Sequence, residues 1–207
     1  TGWDEGVGEL TSYEVVVVNG GEPDEARFDA LLEAADEEQV SLLFTGTHGV
    51  DRGGIRLLEA HGDGVVVGGQ GYRDGAVGLS AFDPDHPLFA GVTDAGHVVA
   101  DDGYYSWLSE HPGEQLAALT VGGTEQGSAA SLEHRTYGSG HLLLSFAAVT
   151  EYQGPGRGWT EDTGRVLLNG IDWLDELAGE PTLSVPAEVV AGSPVTVTGT
   201  APGADTV

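Results

Sequence analysis

One pattern constrains this chain more than any other: two continuous apolar runs, each ending in glycine, with a helical stretch between them. Tyr13-Glu-Val-Val-Val-Val-Asn-Gly-Gly21 has no polar alternation through its valines, which marks a strand covered on both faces. Pro23 suits a first helical turn, and Phe28, Leu31, Leu32 and Ala35 then recur at helical spacing, so a helix is expected over about 23–38. Val40-Ser-Leu-Leu-Phe-Thr45 is the second buried strand, breaking into Gly46-Thr-His-Gly49. Asp51 is placed to cap a short helix carrying Ile55, Leu57 and Leu58, and Gly64-Val-Val-Val-Gly68 reads as a third strand. Such an alternation predicts a parallel sheet covered by helices, with right-handed crossovers.

Downstream the grammar loosens. Residues 69–96 are rich in Gly, Asp and Pro and read as irregular, with a turn at Asp83-Pro-Asp-His-Pro87. Short strands are expected near 97–100, 115–121, 128–136 and 140–147, the last two joined as a hairpin across Tyr137-Gly-Ser-Gly140. Thr160 then caps a helix to about Ala178, with Glu161 and Asp162 favourable in its first turn. Leu167, Ile171 and Leu174 form its expected inward stripe, with Trp173 beside them. After Gly179-Glu-Pro181, the segments Thr182-Leu-Ser-Val-Pro186 and Val195-Thr-Val-Thr-Gly-Thr200 alternate apolar and small polar residues. That is how an immunoglobulin-like β-sandwich begins, and two strands do not make one. The chain opens Thr-Gly-Trp-Asp and stops within Pro-Gly-Ala-Asp-Thr-Val, which reads as a piece of something longer.

Charge narrows the partners. Seven basic residues, all Arg, face 34 acidic ones, for a net charge of −27 over 207 residues. On a folded surface of roughly 9,000 Å², each net negative charge occupies about 300–350 Å². Such a surface repels phosphate backbones and anionic headgroups, so neither nucleic acid nor a membrane surface is an expected partner. It suits high salt or divalent cations. No apolar run reaches the roughly 18–20 residues of a membrane span. The absence of Cys removes thiol nucleophiles, disulfides and thiolate metal sites together.

The order of these elements resembles the class I glutamine amidotransferase-like superfamily, especially its PfpI-type peptidase-like and ThuA-like branches. Their apolar strand ending in two glycines has its counterpart in Tyr13-Glu14 through Gly20-Gly21. Their Cys-His-Gly elbow corresponds to Thr47-His48-Gly49. Asp85-His-Pro-Leu-Phe-Ala-Gly91 looks like the HPLxxG loop of ThuA-like and galactosidase-trimerisation-like members. Tyr137-Gly-Ser-Gly-His-Leu-Leu-Leu144 and Arg165-Val-Leu-Leu-Asn-Gly-Ile-Asp-Trp-Leu174 resemble their closing strand and helix. The resemblance implies a flavodoxin-like three-layer α/β sandwich with a mostly parallel sheet over residues 1–178, its usual first β-α unit absent or earlier in the chain. A C-terminal β segment, 179–207, follows as a linker or the start of the sandwich module.

The resemblance also locates a departure. Where the family has a nucleophilic Cys, position 47 is Thr, a poor nucleophile without a base. Neighbouring side chains on such a bend usually diverge, so His48 is badly placed to be that base. The expected function is therefore a pseudo-enzyme: a non-catalytic accessory domain of a secreted or cell-surface multidomain protein, such as a large extracellular peptidase or glycoside hydrolase. Its partners would be other domains of the same polypeptide or another protein. One alternative is a hydrolase using Thr47 with a His base; the other is a calcium-dependent adhesion or carbohydrate-binding module. For Ca²⁺, Asp83 and Asp85 stand at i, i+2 beside His86, and Asp101 and Asp102 lie near Glu110 and His111; the plainer reading is a turn closed on itself and solvated acids. For sugar, Tyr104, Tyr105, Trp107, Tyr152 and Trp159 offer stacking rings or, more plainly, packing. Gly68-Gly-Gln-Gly-Tyr72 lacks the Lys of a phosphate loop, and no His pair has zinc-hydrolase spacing.

Overall fold

The computed structural model describes residues 10–19, 25–45, 54–93, 97–121, 124–145, 160–178, 182–184 and 198–200. Strand β1 (Val15–Asn19), helix α1 (Glu25–Glu37) and strand β2 (Ser41–Thr45) form the expected βαβ unit, with β1 and β2 parallel from Val15↔Ser41 to Asn19↔Thr45. The other side of β2 is taken by β7 (Gly140–Ser145), also parallel, from Leu42↔Leu142 to Thr45↔Ser145. Being central, β2 is covered on both faces: Leu42, Leu43 and Phe44 are all buried.

The expectation of a mostly parallel sheet is corrected here. Helix α2 (Gly54–His61) leads into β3 (Val66–Ala81), which does not join the parallel strands. It pairs antiparallel with β4 (His97–Glu110) and with β5 (Glu114–Val121). Strand β6 (Thr124–Tyr137) pairs antiparallel with β5 and β7 and meets β4 at Leu108↔Ala130. The sheet order is β1-β2-β7-β6-β4-β3-β5, with the extra β6–β5 pairing closing the last four strands on one another. Connection length explains the direction. Residues 111–113, 122–123 and 138–139 are the whole links between β4, β5, β6 and β7, whereas a parallel crossover needs about a dozen residues.

The first part of the stretch expected to be irregular is strand, β3 running through residues 69–81, whereas residues 82–93 are turn and 3-10 helix. Its glycines are accommodated by shifts of register against β4 at Val66/Val67, Val67/Gly69 and Asp74/Val77. Gly68 leaves room for Trp107, whose Nε1 would lie 2.4 Å from a Cβ at that position.

Helices cover both faces. On one, α1 and α2 bury Phe28, Leu31, Leu32, Ala35 and Leu58 against Val18, Leu42, Phe44, Leu108 and Leu142. On the other, α3 (Glu161–Ala178) and a 3-10 turn (Pro87–Phe89) bury Val166, Leu174, Leu88 and Phe89 against Leu43, Leu79, Leu116 and Leu143. Alternation along β2 and β7 delivers one leucine or phenylalanine to each side in turn. The buried stripe of α3 is Thr163, Val166, Gly170 and Leu174; of the expected stripe Leu174 is fully buried, and Leu167 and Ile171, with Trp173, pack on its flanks. Gly170 sets this rotation, since a Cβ there would meet Leu143 at 3.1 Å and Leu88 at 3.4 Å. Thr160 caps α3 as expected, its Oγ1 accepting from the Thr163 amide at 3.3 Å. Separately, β8 (Thr182–Ser184) and β9 (Thr198–Thr200) form an antiparallel pair.

The β6–β7 turn is locked into the corner between α1 and β2. Ser139 donates to the Asp36 carbonyl through its amide (2.8 Å) and its hydroxyl (2.9 Å), and its Oγ accepts from the Gln39 amide at 3.0 Å. A Cβ on Gly140 would stand 2.4 Å from the Val40 carbonyl oxygen. Gly140→Ala should therefore cost about 3 kcal/mol, because backbone must move to admit it. Gly62→Ala, at φ +85° with nothing within 4 Å, should cost only about 1–2 kcal/mol of left-handed strain. Denaturant melts of the two variants test this ranking.

Candidate functional site at the carboxyl edge of the parallel strands

Strands β1, β2 and β7 run in one direction and finish level, with Asn19 beside Thr45 and Thr45 beside Ser145. From this edge the chain leaves through three glycine-bearing segments: 20–24, 46–53 and 146–159. Ligand sites of open α/β sheets form outside the carboxyl ends of parallel strands, where backbone amides and loop side chains meet. In sequence, Thr47 and His48 follow the end of β2 at Thr45 by two and three residues. Thr47 and His48 themselves, like Tyr152 and Trp159, lie outside the described residues.

The other candidates are dispersed. Tyr104 and Tyr105 lie within β4, registered with Tyr72 and Gly71. Trp107 packs with Val121 against Leu119 and lies over Gly68, a packing role. Asp101 and Asp102 are also in β4, Asp102 opposite Asp74. Because β4 is one extended strand reaching Glu110, Asp102 and Glu110 are on the order of 25 Å apart and cannot share one cation. Asp83 Oδ1 accepts from the Asp85 amide at 3.0 Å, closing the turn on itself, and both carboxylates are exposed. His86 Nδ1 accepts from the Leu88 amide at 3.2 Å. Asn169 of α3 donates to the Leu88 and Ala90 carbonyls at 3.0 and 2.9 Å, fixing this turn to the helix. Among the described residues, no three His, Asp or Glu side chains converge as a metal site.

Two polar groups escaped the sequence reading, and both follow from the β6–β7 hairpin. With Tyr137 opposite Gly140 and Thr136 opposite His141, His134 falls diagonal to His141 on the α3 face. His134 Nε2 and His141 Nδ1 are 3.2 Å apart, and Trp173 covers His134 with ring centres 4.6 Å apart. Burial, then the neighbouring His141 and His86 rings, pushes His134 down to about 4; burial also lowers His141. His141 stands four residues, about 13 Å, before Ser145 at the carboxyl edge, whereas His134 is opposite Leu143, two residues from that edge.

On the opposite face of β6, Glu133, Arg135 and Tyr137 follow one another. Arg135 Nη1 donates to the Asp63 carbonyl at 2.7 Å and its guanidinium lies 5.7 Å from the Tyr137 ring centre. Asp63 also approaches His61, which Asp29 holds at 3.1 Å. His61, Tyr137, Leu32, Asp29, Glu33 and Asp36 line an open pocket of about 340 Å³. Glu133 is fully buried, and burial raises its pKa against the lowering effects of Arg135, the Gly113 backbone and His111. A folded-state pKa above the unfolded one means stability lost as pH rises through it. Glu133→Gln should therefore flatten the fall in melting temperature between pH 4.5 and 7, and an unchanged profile would place the dependence elsewhere.

Compared by sequence with models of known families and with well-characterised proteins, the chain matches none. Solved structures are informative instead. A cytoplasmic protein from Salmonella typhimurium is 14% identical with a TM-score of 0.57, covering 80% of this chain and 73% of that one. A ThuA-like protein from Bacteroides uniformis is 13% identical at TM-score 0.54, covering 80% of this chain and 70% of that one. A β-galactosidase from Bacillus circulans is 12% identical at TM-score 0.55, covering 86% of this chain but 25% of that one. At such identities the likeness is one of fold: the chain has an α/β fold like that of the ThuA-like protein.

Proposed function

We propose that the α/β unit, residues 1–178, is a non-catalytic accessory domain of a secreted or cell-surface multidomain protein, binding other domains of the same polypeptide or a protein partner. The observation that carries this reading is the β-galactosidase likeness, in which a fold spanning 86% of this chain makes up 25% of a much longer glycosidase. The fold is thus used elsewhere as one part of a large enzyme. Three further points support it. Position 47 is Thr where the resembled families have Cys, so the bend has lost its sulfur nucleophile. The hydrogen-bonded histidines lie beneath α3, where Trp173 covers His134. The β8–β9 pair, with three residues in each strand, is too small to be stable alone and calls for further strands, as an immunoglobulin-like module would supply.

The discriminating experiment compares the wild-type chain with Thr47→Ala on chromogenic ester, amide and glycoside substrates. Both proteins should turn over at the protein-free rate. A wild-type hydrolysis that falls a hundredfold or more in Thr47→Ala would replace the accessory role with a threonine hydrolase.

A further inference from the structure

The histidine pair beneath α3 has a geometry that counts protons. The ring centres of His134 and His141 are 5.3 Å apart and the planes 20° from parallel, while the facing nitrogens are 3.2 Å apart. A centre separation so large for that contact requires the two nitrogens to point at each other along the line of centres. One donates and the other accepts, so the contact holds a single shared proton. It survives with both rings neutral or with one charged. With both charged, two N–H groups would meet head to head, and two like charges would share a half-buried site. Trp173 covers this pair, ring centre 4.6 Å from His134, and His86 rests against the same indole at 4.8 Å.

We infer that the His134–His141 pair beneath Trp173 is an acid-released latch, holding the last two turns of α3 on the sheet while it shares one proton and freeing them when both rings are charged. The surroundings favour release. From β5, Glu114 is registered opposite His134, and from the turn before α3's partner segment come His86 and Asp83. Burial lowers the pKa of His86 and the two carboxylates oppose that lowering, while burial and then His141 and His86 oppose a charge on His134. Helix α3 contributes the indole, and its acids Asp172, Asp175 and Glu176 are exposed. Glu133 and Arg135 occupy the other face of β6.

The direction follows from linkage. The docked rings hold protons less tightly than free histidine, ordinarily near 6.5, with His134 at about 4. Below pH 6.5 the undocked state therefore gains protons first, and docking weakens as pH falls toward 4. Two other titrations act in the opposite sense: Glu133 binds its proton more tightly when folded, and protonating surface carboxylates relieves the repulsion of a chain with net charge −27. Loosening confined to α3 in mild acid is thus a signature of the pair.

Amide hydrogen exchange of the full chain between pH 7.5 and 5, corrected for intrinsic rates, tests this. Protection of residues 170–178 should fall at least tenfold relative to residues 25–37 of α1. In His134→Gln, which can still donate and accept but does not titrate, that pH dependence should shrink, because only His141 and His86 then remain to titrate there. The latch is overturned if α3 keeps its protection, if α1 loses as much, or if His134→Gln behaves like the wild type. Independently of any variant, the imidazole ring protons followed by NMR should show two staggered steps, the second coinciding with loss of α3 protection. Two independent steps near 6.5 with α3 intact would equally overturn it.

Discussion

The architecture hangs on the docking of one tight turn. Gly138, Ser139 and Gly140 press into the corner where α1 ends and β2 begins, with Ser139 satisfying the Asp36 carbonyl and the Gln39 amide. Gln39 itself adopts φ 63°, a left-handed conformation uncommon for a residue with a side chain, and its amide is one of the groups held. Because β7 starts inside that corner, it must run alongside β2 in the same direction. The parallel, level edge of Asn19, Thr45 and Ser145 is a consequence of contacts at the opposite end of the strands.

That single placement also divides the protein electrostatically. Once β6 is fixed beside β7, alternation sends His134 toward α3 and Glu133, Arg135 and Tyr137 toward α1 and α2. Burial acts on both sets but with opposite sign: it keeps the imidazoles from gaining a proton and the carboxyl from losing one. Both neighbouring groups of β6 are therefore biased toward neutrality, in a chain whose surface is overwhelmingly acidic. The sheet interior avoids charge while the exterior accumulates it, an arrangement that favours solubility without drawing charge into the core.

Much of the fold was legible along the chain. The Val15–Val18 run, the Phe28/Leu31/Leu32/Ala35 spacing, the Leu42–Phe44 run and the Thr160 cap each specify an element through local burial or local hydrogen bonding. The antiparallel half was less so. Glycine-rich residues 69–81 carry little β-propensity, and they form a strand because β4 pairs along them, β5 adds a second partner over Val77–Ala81, and Trp107 fills the space above Gly68. The inward face of α3 was read in part: Leu174 is buried and Leu167, Ile171 and Trp173 pack against the same core, but Val166 and Gly170, which approaches Leu43 and Leu143, are buried more deeply. For the candidate site, the sequence places Thr47 just after the run that forms β2, whereas the histidine pair follows only from the hairpin register.

By itself the sequence determined the βαβ start, the excess of acid, the absence of cysteine and the hairpin across Tyr137–Gly140. Those depend on residue identity and near neighbours. Only the tertiary structure decided that β7 rather than β3 lies against β2, that the remaining strands turn antiparallel, and which histidines meet under Trp173. Those outcomes rest on contacts between residues up to a hundred positions apart, such as Gln39 with Ser139. No local propensity encodes the energy of such a contact, because it exists only after the corner that receives it has formed.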